Sequence, residues 1–352
     1  MSTLLKVGVV GGGHIVNHRH IPVFKKIKDV EVTAICDKIE SAAQNTAKQF
    51  GIKQYFTNLS DMLKQEIDIV DICTPPKTHL SLATEAMEAG CHVLAEKPLA
   101  MTVKDVDDLI SVSLRKNVKL CVVHQNLFNP AVQKTRQLVQ SGAIGKVIGV
   151  DVGTFIRKEN YMLVNGKHWC HSLPGGIFFE ILPHPVYLFQ LFARNGTPSC
   201  IAGMKLTEYP WIKIDELRVL MKAENAVGSI LASCNSPFHG DTLNVFGTEL
   251  GLQADLWGRS VIKFKPRTEA PLSVGKNNLG LASQFASLIG TTVSNSLIMA
   301  VGGVKVSAHY GFIAEFVKSV REDGKTPVSL EEARENVRIV QGVCDLVDKG
   351  SL

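Results

Sequence analysis

Apolar and polar positions follow two different rhythms along the 352-residue chain. In the first third, short runs rich in β-branched residues alternate with longer stretches of helical apolar spacing. The runs read "KVGVV", "VEVTAICD", "IDIVDICT", "HVLAEKP" and "KLCVVH", and helices are predicted near 18–28, 41–50, 79–89 and 102–116. Strands buried on both faces that alternate with helices predict a doubly wound parallel sheet, ending near Val123 or His124.

The remainder of the chain changes to longer strand patterns that have turn signals but no regular intervening helix. These strands read "KVIGVDVGTFI", "EYPWIKIDELRVLMKAE", "AVGSILASC", "LNVFGTELGLQADLWG" and "SVIKFKP", with flanking helices near 131–141, 183–194, 309–322 and 330–349. The pattern predicts an α+β domain built on a large, mostly antiparallel sheet. We therefore expect an α/β fold class with two domains, 1–124 and 125–352.

Charge and cysteine content argue against some classes of partner. The formal net charge of +5 comes from interspersed basic and acidic residues, so no basic stripe indicates a nucleic-acid partner. The eight cysteines include no C-x-x-C pair, and the apolar run near the amino terminus is too short for a signal-peptide core. We expect reduced cysteines and a cytoplasmic location.

A segment without charged residues runs from Asn277 to Val304. Its amides, hydroxyls and glycines interrupt the roughly 20 apolar residues that a bilayer span needs, so we expect no stable membrane span. The main interpretation is a buried or interface helix pair; a lid over an apolar substrate or a surface that touches membrane is the alternative. Because large apolar surfaces seldom face water, this segment and the second sheet favour a homodimer or homotetramer.

A glycine-rich turn follows the first predicted strand in "VGVVGGGHIVNHRHIP". Gly11 and Gly13 let the backbone turn sharply and approach a pyrophosphate. His14 and Ile15 then open a helix whose free amides can bind that negative charge. Val16 stands where the motif G-x-G-x-x-G has its third glycine, so the match to the motif is partial. The alternative to a phosphate-binding loop is a tight turn that has only a structural role.

Two further strand ends add to a dinucleotide site. Asp37 follows the second strand, about twenty residues after the glycine turn. An acid at this position accepts hydrogen bonds from the adenosine ribose of NAD. Its charge should repel the 2′-phosphate of NADP, yet Lys38 could tolerate one, so NAD is expected and NADP stays open. The third strand ends "CTPPKTH", in which Thr74 and Pro75 are predicted to form a rigid wall against the cofactor, unless the prolines only stop the strand.

Four stretches together resemble one known family of oxidoreductases. They are "GVVGGGHI" followed by "HIP", "CTPPKTHLSLATEAMEAGCHVLAEKPLA", "SGAIGKV" and "GGIFFEILPH", of which "AGCHVLAEKPLA" is the most specific. The chain resembles the Gfo/Idh/MocA family over about its first 190 residues and beyond them only in general pattern. The resemblance implies an N-terminal Rossmann domain, a C-terminal mixed sheet and NAD(P)-dependent oxidation or reduction of sugars, inositols or related polyols.

The resemblance also implies catalytic residues. Lys97 would lie beside the nicotinamide and stabilise a developing alkoxide, while Glu96 would hold the cofactor or the lysine. His184 would act as acid and base, with Glu180 matching the family's usual aspartate. The alternatives are a surface Glu–Lys pair and a histidine that only caps its helix. Pro183 and Pro185 are tolerated in a first turn, so we expect the helix to start near Leu182 and to leave Glu180 just before it.

Further residues are candidate contacts of the cofactor or the substrate. His79 is added to the cofactor contacts, and the substrate contacts are Asn126, Arg157, Tyr161, His168 and Trp169. Leu127 stands where many relatives have an arginine, which argues against transferring a specific sugar contact. His168, Cys170 and His171 are too close in sequence to face one ion without special geometry, so no metal is expected.

The expected function is therefore hydride transfer between a nicotinamide and a secondary hydroxyl or ketone of a sugar, cyclitol or related polyol. Two alternatives stay open. One is NAD-dependent cleavage of a glycoside through transient oxidation, and the other is a catalytically silent, cofactor-binding regulator.

Overall fold

The computed structural model describes residues 4–264, 282, 284, 286, 288–295, 297–298 and 301–350. The chain divides into two compact units. Unit 1 comprises Met1–Gln125 and Val304–Arg338, and unit 2 comprises Asn126–Gly303 and Ile339–Leu352. The stretch Val304–Arg338, which the sequence analysis placed in the second domain, thus belongs to unit 1 by its contacts.

Unit 1 is built on a parallel sheet whose described strands are ordered β3-β2-β1-β4-β5-β6. The strands are β1 (Leu5–Val10), β2 (Val30–Cys36), β3 (Gln54–Phe56), β4 (Ile69–Ile72), β5 (His92–Ala95) and β6 (Leu120–Val122). This order confirms the predicted doubly wound sheet, whose ligand-binding edge is formed by the carboxyl ends of the strands.

Helices connect these strands. They are a π-helical turn (Val16–His20), α1 (Ile21–Phe24), α2 (Glu40–Phe50), α3 (Leu59–Met62), α4 (His79–Glu88) and α5 (Val103–Lys116). Local sequence explains the bounds of α5, because Thr102 and Asp105 form a reciprocal capping box and Asn117 ends the helix in the left-handed conformation. The described residues of unit 1 also contain α10 (Ala308–Arg321), while α11 (Leu330–Asp348) crosses the boundary between the two units.

Unit 2 is built on a second sheet whose described strands are ordered β13-β12-β11-β7-β10-β9-β8. The strands are β7 (Val147–Arg157), β8 (Thr197–Met204), β9 (Glu216–Lys222), β10 (Val227–Ser236), β11 (Gly240–Gly247), β12 (Gly251–Asp255) and β13 (Ser260–Phe264). Only β7 and β10 pair in parallel among these strands, which confirms the mostly antiparallel prediction. One face of this sheet is buried; the opposite face presents exposed apolar side chains such as Leu220 and Phe246.

The helices of unit 2 correct one sequence prediction. They are α6 (Pro130–Gln140), α7 (Tyr161–Val164), α8 (Ile177–Ile181) and α9 (Pro183–Gln190). Helix α9 begins next to Leu182, as predicted, but the expectation that Glu180 lies outside a helix is wrong, because Glu180 lies inside the short preceding helix α8. Leu182 keeps right-handed helical dihedral angles between α8 and α9, so the prolines interrupt hydrogen bonding without ending the helical path.

The uncharged segment 277–304 lies partly outside the described residues, namely at 277–281, 283, 285, 287, 296, 299 and 300. Residues 288–295 are helical, and Ile289, Val293, Leu297 and Val301 are exposed at a spacing of four residues. None of the described helices combines the length and hydropathy required to cross a bilayer.

Candidate active site

The glycine turn after β1 is shaped by close backbone contacts. Gly11 has a φ of +105°, and a Cβ built there would lie 2.7 Å from the backbone oxygen of Cys73. A Cβ on Gly12 would lie 3.0 Å from the backbone oxygen of Ala42. No described atom lies within 4 Å of a Cβ built on Gly13. The first two glycines therefore fold the turn, and the third leaves room for a group to approach the backbone.

The helix that follows begins at His14 and Ile15. The exposed His14 ring stacks on His18 with 4.1 Å between ring centroids. Burial, together with the charges of His18 and Arg19, lowers the pKa of His14. The backbone amides at this helix start provide the positive end that a pyrophosphate requires.

Asp37 lies beside this turn at the end of β2, with both carboxylate oxygens held by backbone amides. Its Oδ2 accepts a hydrogen bond from the Gly12 amide at 2.7 Å, and its Oδ1 accepts one from the Ile39 amide at 2.8 Å. The neighbouring Lys38 side chain is exposed. The carboxylate is thus fixed next to the glycine turn, where the ribose of a dinucleotide requires an acceptor.

The loop after β4 is closed by its own hydroxyl groups. Thr74 Oγ1 lies 2.7 Å from Thr78 Oγ1, and Thr78 Oγ1 donates to the backbone oxygen of Pro75 at 2.8 Å. Pro75 is exposed and Thr74 is half-buried. This loop therefore presents a rigid surface at the same edge of the sheet as Gly11 and Asp37.

His79 connects this loop to the one after β5. Its ring is fully buried, with Nε2 2.8 Å from the backbone oxygen of Thr74 and Nδ1 3.0 Å from that of Pro98. Burial lowers the pKa of His79, although both carbonyl groups favour its protonated form. The position makes His79 a support for the two loops.

Lys97 follows β5 at the same edge of the sheet. The residue is half-buried, its backbone amide donates to Glu96 Oε2 at 3.1 Å, and the Lys97–Pro98 peptide bond is cis. The parallel pairings of β1, β2, β4 and β5 bring the glycine turn, Asp37, Thr74 and Lys97 to one edge. The sequence predicts each of these residues at the end of its own strand, and the pairing of the strands brings the four ends together.

A buried ion cluster lies beneath this edge, and the sequence analysis missed two of its members. His20 Nδ1 lies 2.8 Å from Asp71 Oδ2, and His20 Nε2 lies 2.9 Å from Glu96 Oε1. Both His20 and Asp71 are 0% exposed. The signal in the sequence is the charged residue within the wholly buried run "IVDI", because a buried carboxylate requires a partner.

The charges in this cluster stabilise one another. Burial opposes the charged form of His20, but the Asp71 carboxylate and Cys73 raise its pKa well above the ordinary value. Burial likewise opposes the charged form of Glu96, but hydrogen bonding and charge from His20, with Lys97 and His309, lower the pKa of Glu96 to about 2. His20 is therefore a cation held between two carboxylates.

Donor atoms of His20, Asp71 and Cys73 lie within 4.8 Å of one another, a grouping that could hold a metal ion. Cys73 Sγ lies 3.3 Å from His20 Nδ1 and 3.5 Å from Asp71 Oδ2. Since the imidazole and carboxylate already bond to each other, we interpret the group as an ion pair with a neighbouring thiol.

In unit 2, His184 lies in α9 and contacts Tyr187 one turn later. His184 Nδ1 lies 3.0 Å from the Tyr187 hydroxyl. That hydroxyl also accepts a hydrogen bond from the backbone amide of Asn126 at 3.2 Å. Tyr187 is 3% exposed, so its position is fixed by packing. The sequence analysis missed Tyr187, although a spacing of three residues on a helix predicts such a contact.

The predicted substrate loop carries a chain of aromatic contacts within unit 2. Tyr161 is 67% exposed and meets His168 edge to face at 5.7 Å, and His168 lies 5.1 Å from Trp169. Arg157 forms an exposed ion pair with Glu159. The structure thus brings three of the predicted substrate residues together, with Arg157 at the end of β7.

The Asn126 side chain contacts Asp241, an acid that was not among the predicted site residues. Asp241, on β11, accepts a hydrogen bond from Thr154 Oγ1 at 2.7 Å and another from the Asn126 side chain. Burial raises the pKa of Asp241. The sequence carried no signal for this residue, since Asp241 and its partners are far apart along the chain and belong to no motif.

Comparison with family models covers both units. Residues 5–124 match the oxidoreductase family with an NAD-binding Rossmann fold, and residues 132–253 match the GFO/IDH/MocA C-terminal domain. The two matched ranges include the glycine turn, Asp37, Lys97 and His184.

Two curated relatives give a more detailed comparison. D-glucoside 3-dehydrogenase of Escherichia coli is 29% identical over 147 residues, 42% of each chain. The dTDP-3,4-didehydro-2,6-dideoxy-alpha-D-glucose 3-reductase of Saccharopolyspora spinosa is 30% identical over 147 residues, 42% of this chain and 44% of that one. The aligned region spans about half the length of the curated relatives that the chain matches.

A solved structure shares the whole fold. The WlbA dehydrogenase from Bordetella pertussis, in complex with NADH and UDP-GlcNAcA, has a TM-score of 0.80 at 21% identity and covers 99% of this chain and 96% of that chain. At this identity the likeness establishes the common architecture.

Proposed function

Because the chain belongs to the Gfo/Idh/MocA family of oxidoreductases, we propose that it exchanges a hydride between NAD and a secondary hydroxyl or ketone of a sugar. The observation that carries the proposal is the edge of the unit 1 sheet. There the glycine turn, the fixed Asp37 carboxylate and Lys97 follow β1, β2 and β5. A dinucleotide site and a cationic side chain thus share one edge.

The residues of unit 1 fit NAD. The open space at Gly13 and the helix start at His14 suit a pyrophosphate, and the Asp37 carboxylate suits the adenosine ribose. The loops at Thr74 and Glu96 complete the proposed binding surface. When bound, NAD supplies the nicotinamide ring that accepts or donates the hydride.

Two side chains are proposed to act on the substrate oxygen. The Lys97 ammonium donates a hydrogen bond to that oxygen and stabilises negative charge as the hydride leaves the carbinol carbon. His184 takes the hydroxyl proton during oxidation and returns it during reduction, while Tyr187 holds its ring. Glu180 orients the imidazole or binds a substrate hydroxyl.

The proposed substrate is a pyranose that reacts at carbon 3. The names of two relatives, a D-glucoside 3-dehydrogenase and a dTDP-sugar 3-reductase, both specify this position. Aromatic faces beside polar groups suit a sugar ring, which supports Tyr161, His168 and Trp169 as its contacts, with Asn126 and Arg157 as polar partners.

A second candidate function follows from the same position. A ketone at carbon 3 makes the hydrogen on carbon 2 acidic, so the substituent on carbon 1 can leave by elimination. Similarity to a D-glucoside 3-dehydrogenase favours this alternative of NAD-dependent glycoside cleavage. Release of nitrophenol from a nitrophenyl glucoside with catalytic NAD would distinguish cleavage from net oxidation.

We also propose that the protein assembles with a second copy of itself in the cytoplasm. On the face of the unit 2 sheet that carries exposed apolar side chains among the described residues, Leu220 is 54%, Val227 63% and Phe246 39% exposed. Exposed apolar surface of this kind favours association.

The proposed cytoplasmic location is supported by the cysteines. All eight, each among the described residues, are free thiols, and a reducing compartment keeps thiols in this state.

The experiment is a spectrophotometric screen at the absorbance band of reduced nicotinamide. Purified protein is mixed with sugars, inositols, sugar acids and methyl glucosides, with NAD and NADP separately, and 3-keto sugars are tested with NADH. Steady turnover with one class supports the proposal and identifies the substrate. Silence in both directions, with NADH binding established by fluorescence, would contradict it and favour a cofactor-binding regulator.

Lys97→Ala tests the chemical role. We expect turnover to fall by about 100-fold or more, because the charge stabilising the alkoxide is lost, while NADH affinity changes less than threefold. His92→Asn, at the opposite end of β5, is the matched control. Turnover near the wild-type rate in Lys97→Ala would exclude the proposed mechanism.

A further inference from the structure

We propose that His20 is a positioning residue for Lys97, acting through the carboxylate of Glu96. This inference rests on the proposed function, since it assigns a purpose to the buried ion cluster beneath the proposed catalytic lysine. The His20 ring does not itself reach cofactor or substrate, because it is completely buried, and it meets the proposed binding surface only through Glu96.

A continuous series of hydrogen bonds joins His20 to Lys97. His20 Nε2 donates to Glu96 Oε1 at 2.9 Å, and Glu96 Oε2 accepts from the Lys97 backbone amide at 3.1 Å. Both oxygens of one carboxylate are therefore occupied, which fixes the Glu96 side chain. The same contacts fix the backbone at the residue from which the Lys97 side chain extends.

The other side of the imidazole is anchored to the centre of the sheet. His20 Nδ1 lies 2.8 Å and 3.0 Å from the two carboxylate oxygens of Asp71, on the fully buried strand β4. The π-helical turn, β4 and the end of β5 are thus joined by one side chain. Any rotation of the imidazole is opposed by carboxylates on both sides.

The charges around the cluster agree with this purpose. His20 faces Asp71, Cys73, Glu96 and His309, whereas Glu96 also interacts with the charge of Lys97. A buried ion pair commonly stabilises a fold less than apolar packing of the same volume. The two carboxylates around the His20 imidazolium are better explained by a positioning role, in which they fix the backbone from which Lys97 extends.

The test compares kcat, KM and NADH affinity in His20→Gln, Glu96→Gln and the double variant, using the substrate found in the screen. We expect each single variant to lower kcat at least tenfold and to change the KM of the sugar less than threefold. In His20→Gln, whose buried side chain does not reach the cofactor, the dissociation constant of NADH should also change less than threefold. The double variant should stay within threefold of the slower single variant, because both changes break the same link.

His92→Asn, at the start of β5 and outside the cluster, is the control and should retain kcat within twofold. If His20→Gln does not fold, Asp71→Asn replaces it in the cycle, since that change releases the imidazole without touching Glu96. Effects on kcat that multiply in the double variant, or a loss confined to KM or NADH affinity, would overturn the inference.

Failure of this inference is distinguishable from failure of the proposed function. If the substrate screen is silent in both directions, the proposed function fails. If Lys97→Ala keeps wild-type turnover, the proposed role of Lys97 fails, and its positioning loses its purpose. If Lys97→Ala is inactive but the His20 and Glu96 effects multiply, only the positioning role is excluded.

Discussion

At the scale of single residues, the fixed Asp37 carboxylate is proposed to select NAD over NADP. Since two backbone amides hold its oxygens, the side chain cannot rotate away from a 2′-phosphate. We expect Asp37→Ala to raise the ratio of kcat/KM for NADP to that for NAD at least tenfold. Glu40→Ala, an exposed neighbouring acid, should leave the ratio within twofold. An unchanged ratio in Asp37→Ala would show that Asp37 does not select the cofactor.

The buried ion cluster predicts how stability depends on pH. The pKa of His20 is raised above its ordinary 6.5, so its contribution to stability is complete below pH 6.5 and declines as the pH rises through the raised value. Glu96 contributes above pH 4.5, and this contribution is lost as the pH falls toward about 2. Thermal unfolding between pH 6.5 and 9 should therefore show a steeper loss of Tm in wild type than in His20→Gln. Parallel curves would contradict a charged His20.

Sequence reasoning located residues in this site only where a motif or strand end marked them. Gly11, Asp37 and Lys97 each follow a recognisable strand, so their common edge was predictable. His20 and Asp71 are 51 residues apart and meet only after the parallel sheet has formed. No local pattern encodes that distance, although the acid in a buried strand should have prompted a search for its partner.

At the scale of secondary-structure elements, the glycine turn separates a folding role from a binding role. We expect Gly11→Ala to lower stability by about 1–3 kcal/mol, because alanine is strained at a φ of +105° and meets the Cys73 carbonyl. Gly13→Ala meets no described atom within 4 Å, so its Tm should stay near wild type while NADH affinity falls at least threefold. Thermal unfolding and NADH fluorescence measure the two effects; a normal NADH affinity in Gly13→Ala would place the pyrophosphate elsewhere.

Elements were predictable where apolar periodicity and capping agreed. Strands β1, β2, β4, β5 and β6 and helices α2, α4 and α5 match their predicted positions within a few residues. The strand at Gln54–Phe56 was missed because its three residues are mostly exposed and carry no apolar alternation. The helix at Ile177–Ile181 was missed because the following prolines suggested a later start, whereas a helical Leu182 lets the chain continue.

At the scale of the whole molecule, the exposed apolar side chains on one face of the second sheet predict self-association. Light scattering coupled to gel filtration should report a mass of at least two chains of 38.4 kDa. Leu220→Glu combined with Phe246→Glu should lower that mass, since both exposed apolar side chains lie on this face. Leu114→Glu, on exposed α5, should not. A monomeric wild-type protein would exclude the assembly.

Division of the chain into two units was predictable, but not the assignment of its last helices. The change from alternating strands and helices to long strands marks the boundary near residue 125. The stretch Val304–Arg338 returns to unit 1 through contacts such as the ion pair between Arg334 and Asp107, 227 residues apart. Such a return depends on tertiary contacts that periodicity does not report.

Hydride transfer is tested by following a deuterium atom from substrate to cofactor. The sugar that reacts in the screen is prepared with deuterium on the carbinol carbon. The NADH formed is isolated, and its molecular mass is measured by mass spectrometry. We expect one deuterium in each NADH molecule, because the hydride passes directly from that carbon to the nicotinamide. NADH without deuterium would show that no direct hydride transfer takes place and would exclude the proposed function.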